Sequence, residues 1–416
     1  MKRTAARLID FALALALMLA LAGAPRLHAA EWPNVRQSDT LWPGAPLDNP
    51  QWPKLSPGEL ATIPTVPASA PATSEPAQSA ASTPAKTSPG DDALTTGASL
   101  DLPALKVPLA APVKAPEPAR FAWHIPPEFA FEAGMRYWYS VGQNRFAFTN
   151  GVFPFGSPTS TLDWDRMTGH SGEIFGRIDH QPTHLFVKGV LGAGILKGGD
   201  MDDLDFLVTQ TSFSNTTSSV DGNNISYAII DIGYSFDVPS AGVRYGAFIG
   251  YHYWREKMTA FGVLCNANGL GNQFCPAGAI VVPFSTPVDV FDTSWNAMRI
   301  GGDVRYRLYD RWTISGEVAF VPIAHLNNDD SHLLRADLGP VPNIITSGWG
   351  AMGGEAEAFV RYQVGPHFEL GVGARYWEIS TNSGAVQFGP TFSPNFSLTK
   401  FATQRYGVLF EARATF

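Results

Sequence analysis

The chain has 416 residues, 45% of them hydrophobic, 12% aromatic and only 16% charged, with 40 Gly, 33 Pro and 2 Cys. A charged fraction so far below the ~25% usual in soluble domains argues against a cytosolic enzyme. A net charge of −8 without a basic block argues against nucleic acid as a partner, and two cysteines alone neither staple a small scaffold nor make a zinc site.

Residues 1–30 read as a secretory signal. Lys2, Arg3 and Arg7 precede an apolar run from Phe11 to Ala22, and small residues at Ala29-Ala30 place cleavage near Ala30. About 12 apolar residues fall short of the ~20 that a membrane helix needs. Residues 31–124 hold roughly half of the prolines, mixed with Ala, Ser and Thr. Such a segment cannot bury enough apolar surface to offset its ordering entropy, so a disordered periplasmic tether is expected. Trp-Pro recurs at 32, 42 and 52, either as a docking motif for a periplasmic partner or by chance.

From Phe129 the pattern changes to period two. Phe129, Phe131, Met135, Tyr137 and Tyr139 alternate with Glu132, Gly134 and Arg136; Ile230, Ile232, Tyr234 and Phe236 alternate with Asp231, Gly233, Ser235 and Asp237. Tyr406, Val408 and Phe410 alternate with Arg405, Gly407 and Glu411, and the sequence closes on Phe416. Apolar-out, charged-in alternation over long segments is the signature of a transmembrane β-barrel. A soluble sandwich also alternates, but with strands of ~5–6 residues rather than 12 or more.

Residues 125–416 are therefore expected to be all-β: a ten-stranded antiparallel transmembrane β-barrel in the bacterial outer membrane. The strands are predicted near 127–145, 160–179, 184–197, 225–237, 242–258, 291–309, 311–324, 348–363, 366–380 and 400–416. Four short connections alternate with long ones at 146–159, 198–224, 259–290, 325–347 and 381–399, as between the periplasmic and extracellular sides of such barrels. Ten strands with Arg and Glu inside leave no wide channel.

Chemistry belongs on the long connections. The third strand leads into Gly198-Gly199-Asp200-Met201-Asp202-Asp203-Leu204-Asp205-Phe206, and the seventh into Asn327-Asn328-Asp329-Asp330-Ser331-His332. Asp203/Asp205 and Asp330/His332 are i, i+2 pairs, which share a face in extended backbone. Crowded carboxylates repel, so one tends to keep its proton. An Asp beside a His raises the basicity of the ring and suits it to take a proton from water. Three readings stay open on these residues: solvated turns, a Ca²⁺ loop (without EF-hand spacing), and hydrolysis of a bond by water held between the pairs.

These segments, together with Leu162-Asp163-Trp164 and the strand from Lys188 to Gly194, resemble the omptin family of outer-membrane proteases over roughly residues 127–416. The resemblance implies a ten-stranded barrel and an endopeptidase. Asp330 and His332 would activate water, while Asp203 and Asp205 would hold it and stabilise charge on the scissile carbonyl. It also implies an acid in the substrate pocket; that place falls on Asn328, and the adjacent Asp329 is the carboxylate expected to bind substrate. The family's second pocket acid has no counterpart among Val141 to Phe148. No metal or other cofactor is implied, but lipopolysaccharide is, and in Gly250-Tyr251-His252-Tyr253-Trp254-Arg255 the residues Tyr251 and Arg255 fit its binding pattern, with Tyr253 where an acid is expected.

Cys265 and Cys275 share the third long connection, and outside the cytoplasm a disulfide between them is expected. The rival to a protease acting on a peptide or protein substrate is a non-catalytic barrel serving adhesion or envelope anchoring, or a narrow pore.

Overall fold

The computed structural model describes residues 128–270 and 275–416. The predicted signal segment, the tether and its Trp-Pro repeats lie outside the described residues. In chain order the strands are β1 (Phe129–Thr149), β2 (Phe155–His180), β3 (Leu185–Lys197), β4 (Asp200–Leu207), β5 (Ser212–Val220) and β6 (Asn223–Val238). They continue with β7 (Val243–Cys265), β8 (Ile280–Tyr309), β9 (Trp312–His332), β10 (Ile344–Gly365), β11 (Phe368–Thr381), β12 (Gly384–Phe388) and β13 (Asn395–Thr415).

Together they form a 13-stranded sheet in which the described pairings are antiparallel. Each long strand pairs with its neighbour in sequence or across a hairpin, and β1 pairs with both β2 and β13. The period-two reading is correct in phase. Met135, Tyr137, Ile230, Ile232, Phe236, Tyr406 and Phe410 are exposed on one face, while Glu132, Glu173, Arg375, Arg405 and Glu411 are buried on the other.

The inward charges meet partners on strands that are not their neighbours in the sheet. Arg405 on β13 contacts Glu256 on β7 at 2.6 Å, and Arg375 on β11 contacts Glu173 on β2 at 3.2 Å. The sheet thus curls enough for ions on its charged face to meet between strands far apart in its order. Above the ions lies an apolar layer in which Phe146, Trp164, Phe291, Trp295 and Phe401 are all at most 4% exposed. Phe291 stacks on Phe401 with centroids 5.7 Å apart and meets Trp164 at 5.5 Å.

The acidic segments do not lie on loops, as the sequence suggested, but on strands. Asp203 and Asp205 belong to β4, and Asp330 and His332 end β9. The cause is visible at Gly198-Gly199, which both take positive φ (63° and 104°). A Cβ on Gly199 would stand 2.5 Å from the Asp165 carbonyl oxygen, so only glycine allows the chain to leave β3 there. β4 then takes over as partner of the upper part of β2, β5 pairs with the upper end of β7, and β6 pairs with β3 below. The β4–β5 hairpin extends the sheet beyond the apolar layer.

Candidate functional site at the upper rim

β9 carries Asn328 and Asp330 inward and Asp329 outward, because successive residues of a strand face opposite sides. Asp330 is 1% exposed, and its Oδ2 lies 3.3 Å from Nε2 of His332, whose side chain is 27% exposed. The His332 backbone is held by Asn343. The His332 amide donates to Asn343 Oδ1 at 2.9 Å, and Asn343 Nδ2 donates to the His332 carbonyl at 3.1 Å. Asn343 therefore continues the ladder by one residue after β9 has lost its regular partner.

Directly opposite His332 on β8 stands Asp289, 1% exposed. Phe291, the next inward residue of β8, faces Asp330. Ligand atoms of Asp289, Asp330 and His332 all lie within 4.8 Å of one another.

Asp203 and Asp205 approach from β4, which has β2 and β5 as its neighbours, so only the curvature of the sheet brings them toward β9. Asp203 lies opposite Leu162 and accepts a hydrogen bond from the Ser160 hydroxyl at 3.4 Å; Ser160 itself faces Asp205. The other two acids of this run are engaged elsewhere. Asp200 pairs with Arg166, and Asp202 accepts from Thr217 Oγ1 at 2.5 Å.

The electrostatics tie the two halves together. Burial raises the Asp203 carboxyl; His332 pulls it down and Asp330 pushes it up. Burial and the Asp203 charge push Asp205 up to about 8. Asp289 is raised well above the usual carboxylate range by burial and by Asp330. Burial acts to lower the His332 imidazole, but the carboxylates of Asp330, Asp289 and Asp203 override it and raise the ring to about 10. At neutral pH the cluster therefore stores protons on His332 and Asp205.

Among the residues singled out in the sequence, Asp203, Asp330 and His332 sense one another here, and Asp205 senses Asp203 and His332. Asp329 does not join them. It is exposed on the opposite face, opposite Asp292 on β8 and Ile345 on β10. Asn328 is the inward residue, accepting from Thr293 Oγ1 at 2.8 Å. Asp289, Asn343 and Ser160 were not anticipated. Tyr251 and Arg255 both lie on the outward face, Tyr251 donating to Asn296 Oδ1 at 2.6 Å and Arg255 forking onto Asp292 at 2.7 and 2.5 Å. Cys265 and Cys275 form the expected disulfide, with Cα atoms 5.5 Å apart.

Neither a family model nor a curated protein matches this sequence. Among solved structures, the fold is similar to the outer membrane protease OmpT of Escherichia coli, with a TM-score of 0.54 at 14% identity over 69% of this chain and 96% of that one. The outer membrane protein OprG of Pseudomonas aeruginosa matches at a TM-score of 0.28 and 7% identity, over 69% of this chain and 95% of that one. The CymD monoaromatic hydrocarbon channel matches at 0.22 and 10%, over 69% and 88%. At these identities the first likeness is one of fold, and the other two carry no argument.

Proposed function

We propose that the chain is an omptin-like outer-membrane endopeptidase that hydrolyses peptide bonds with water activated by Asp330 and His332. The observation that carries this reading is the Asp330/His332 pair, 3.3 Å apart, in electrostatic reach of Asp203 from a strand that is not its neighbour. The scaffold is read as a closed ten-stranded barrel made of β1, β2, β3, β6 to β11 and β13, with β4, β5 and β12 extending its outer rim. Its exposed apolar face supports a lipid environment, since a water-soluble protein rarely exposes so continuous an apolar surface. Tyr251 and Arg255 on that face are proposed to meet lipopolysaccharide. The buried aromatic layer beneath the rim argues against the pore reading.

In the proposed reaction, a water between the two pairs loses a proton to the neutral imidazole of His332, which Asp330 orients. The resulting hydroxide attacks the scissile carbonyl. A protonated Asp205 donates a hydrogen bond to the developing oxyanion, and Asp203 positions the water. When the tetrahedral intermediate collapses, the C–N bond breaks and His332 returns its proton to the leaving amine. The productive form thus needs a neutral His332 and a protonated Asp205.

The test is cleavage of a peptide library by the refolded full-length chain with lipopolysaccharide, for wild type and His332→Ala. Loss of cleavage in a variant that still resists unfolding in cold SDS supports the scheme. Undiminished cleavage refutes it, and a wild type that cleaves nothing favours the adhesion reading.

A further inference from the structure

We infer that Asp289, Asp330 and His332 form a binding site for a divalent transition-metal ion of the Zn²⁺ class, a use of the rim beyond peptide hydrolysis. Three carboxylate oxygens here are buried without a hydrogen-bond donor: both of Asp289 and Oδ1 of Asp330. What the Asp289 carboxylate faces is the Asp330 carboxylate, another acceptor. Buried acceptors left in this way are costly. A single shared proton would bridge one pair of oxygens, whereas one cation satisfies both carboxylates and the imidazole together.

The geometry suits such an ion. Two ligands held ~2.0–2.1 Å from a tetrahedral Zn²⁺ stand about 3.3–3.4 Å apart, and Asp330 Oδ2 and His332 Nε2 are 3.3 Å apart. All three ligand atoms fall within 4.8 Å. Register and burial fix the set. Asp289 is opposite His332 in the β8–β9 ladder, and Phe291 beneath it blocks retreat of the carboxylates into the lumen. His332, about a quarter exposed, leaves an open side for entry and for a water as fourth ligand. One imidazole among two carboxylates favours Zn²⁺ over Ca²⁺ or Mg²⁺, which prefer all-oxygen shells. A metal there binds the Nε2 that faces Asp330 and removes the contact by which Asp330 orients the ring, so metal loading and metal-free hydrolysis exclude each other.

The experiment is calorimetric titration of ZnCl₂ into the refolded full-length chain at pH 8 in a non-chelating buffer. One Zn²⁺ per chain is expected to bind, unaffected by millimolar Ca²⁺ or Mg²⁺. Asp289→Asn, which keeps the side-chain shape, is expected to weaken binding at least ~10-fold. His332→Ala, at the more exposed position, is expected to do the same and serves if the first variant does not fold. Absence of saturable binding to wild type overturns the inference and leaves the shared proton as the account of the carboxylate pair. An isotherm unchanged by either substitution in a folded variant also overturns it. The isotherm is read without any peptide, so its failure is separable from failure of the hydrolase reading.

Discussion

Inward-facing charge occurs at two levels of this molecule, and the two are built differently. In the lower interior, acids meet guanidinium groups. Glu132 lies 2.9 Å from both Arg305 and Arg413, Glu411 lies 2.7 Å from Arg136 and 2.6 Å from Arg361, and Glu357 lies 2.6 Å from Arg375. At the rim, Asp289 and Asp330 stand within 4.8 Å of one imidazole, Asp203 and Asp205 lie in electrostatic reach of it, and the nearby Arg335, which lowers both Asp203 and Asp205, is itself forked onto Asp337 at 2.9 and 2.7 Å. Paired ions fill the lower interior and tie together strands that are not neighbours in the sheet. Carboxylates brought together with too few cations cost stability and persist where protons or cations are to be handled. The aromatic layer through Phe291 and Trp164 separates the two regimes.

The sharpest way to break this contrast is at His332. Replacing it with Ala is expected to lower kcat/KM by ~10²–10⁴-fold, the usual contribution of a positioned base, with little change in SDS resistance. The opposite pattern is expected below the layer. Glu173→Ala takes from the buried Arg375 one of its two carboxylate partners, Glu357 remaining, and should cost about 1.5–3 kcal/mol in a urea titration in detergent, as losing a buried hydrogen bond to a charged group does, while leaving the pH profile of cleavage in place. If His332→Ala destabilises and Glu173→Ala changes the profile, the division is wrong.

The profile is the third test. The productive form requires His332 without its proton and Asp205 with one, while their pKa values lie at about 10 and about 8. Activity should therefore rise from pH 7, crest near pH ~9 and fall above about 10, the two limbs belonging to the pair of groups rather than to either alone. Asp289 is one of the carboxylates that raise His332. Asp289→Asn should move the upper limb toward lower pH, and a profile that stays put removes Asp289 from the electrostatics of the site. The smallest effect is expected at Asp329. As an exposed residue facing away from the cluster, it should change kcat/KM by less than about twofold on replacement by Asn, within the range of surface substitutions.

Much of this was legible beforehand for a definite reason. Period-two alternation reports which face each residue takes, so the outward row of Ile230, Ile232, Tyr234 and Phe236 and the inward row of Glu132 and Arg136 could be assigned before any pairing was known. The same rule sets Asp329 on the face away from Asp330, since successive residues of a strand point to opposite sides. The rim strands β4 and β5 were missed because they lack a continuous apolar face, and β12 because it is only 5 residues long: Asp200–Leu207 and Ser212–Val220 read as polar loops, yet hydrogen bonding to β2 and β7 makes them strands. Asp289 was within reach. Counting pairs outward from the turn at Asp310-Arg311 sets it opposite His332, because the register shifts after Met298 and after Arg307 cancel along the ladder.

By itself, then, the sequence determined the faces, the long strands, the short turns and the two i, i+2 pairs, because all of these are local properties of an extended backbone. Tertiary structure alone decided that Asp203 on β4 senses His332 on β9, that Asp289 lacks a donor, and that the imidazole holds its proton to about pH 10. Those facts depend on how far the sheet curls and on which charges are shut away from water together, and neither quantity is carried by any short stretch of chain.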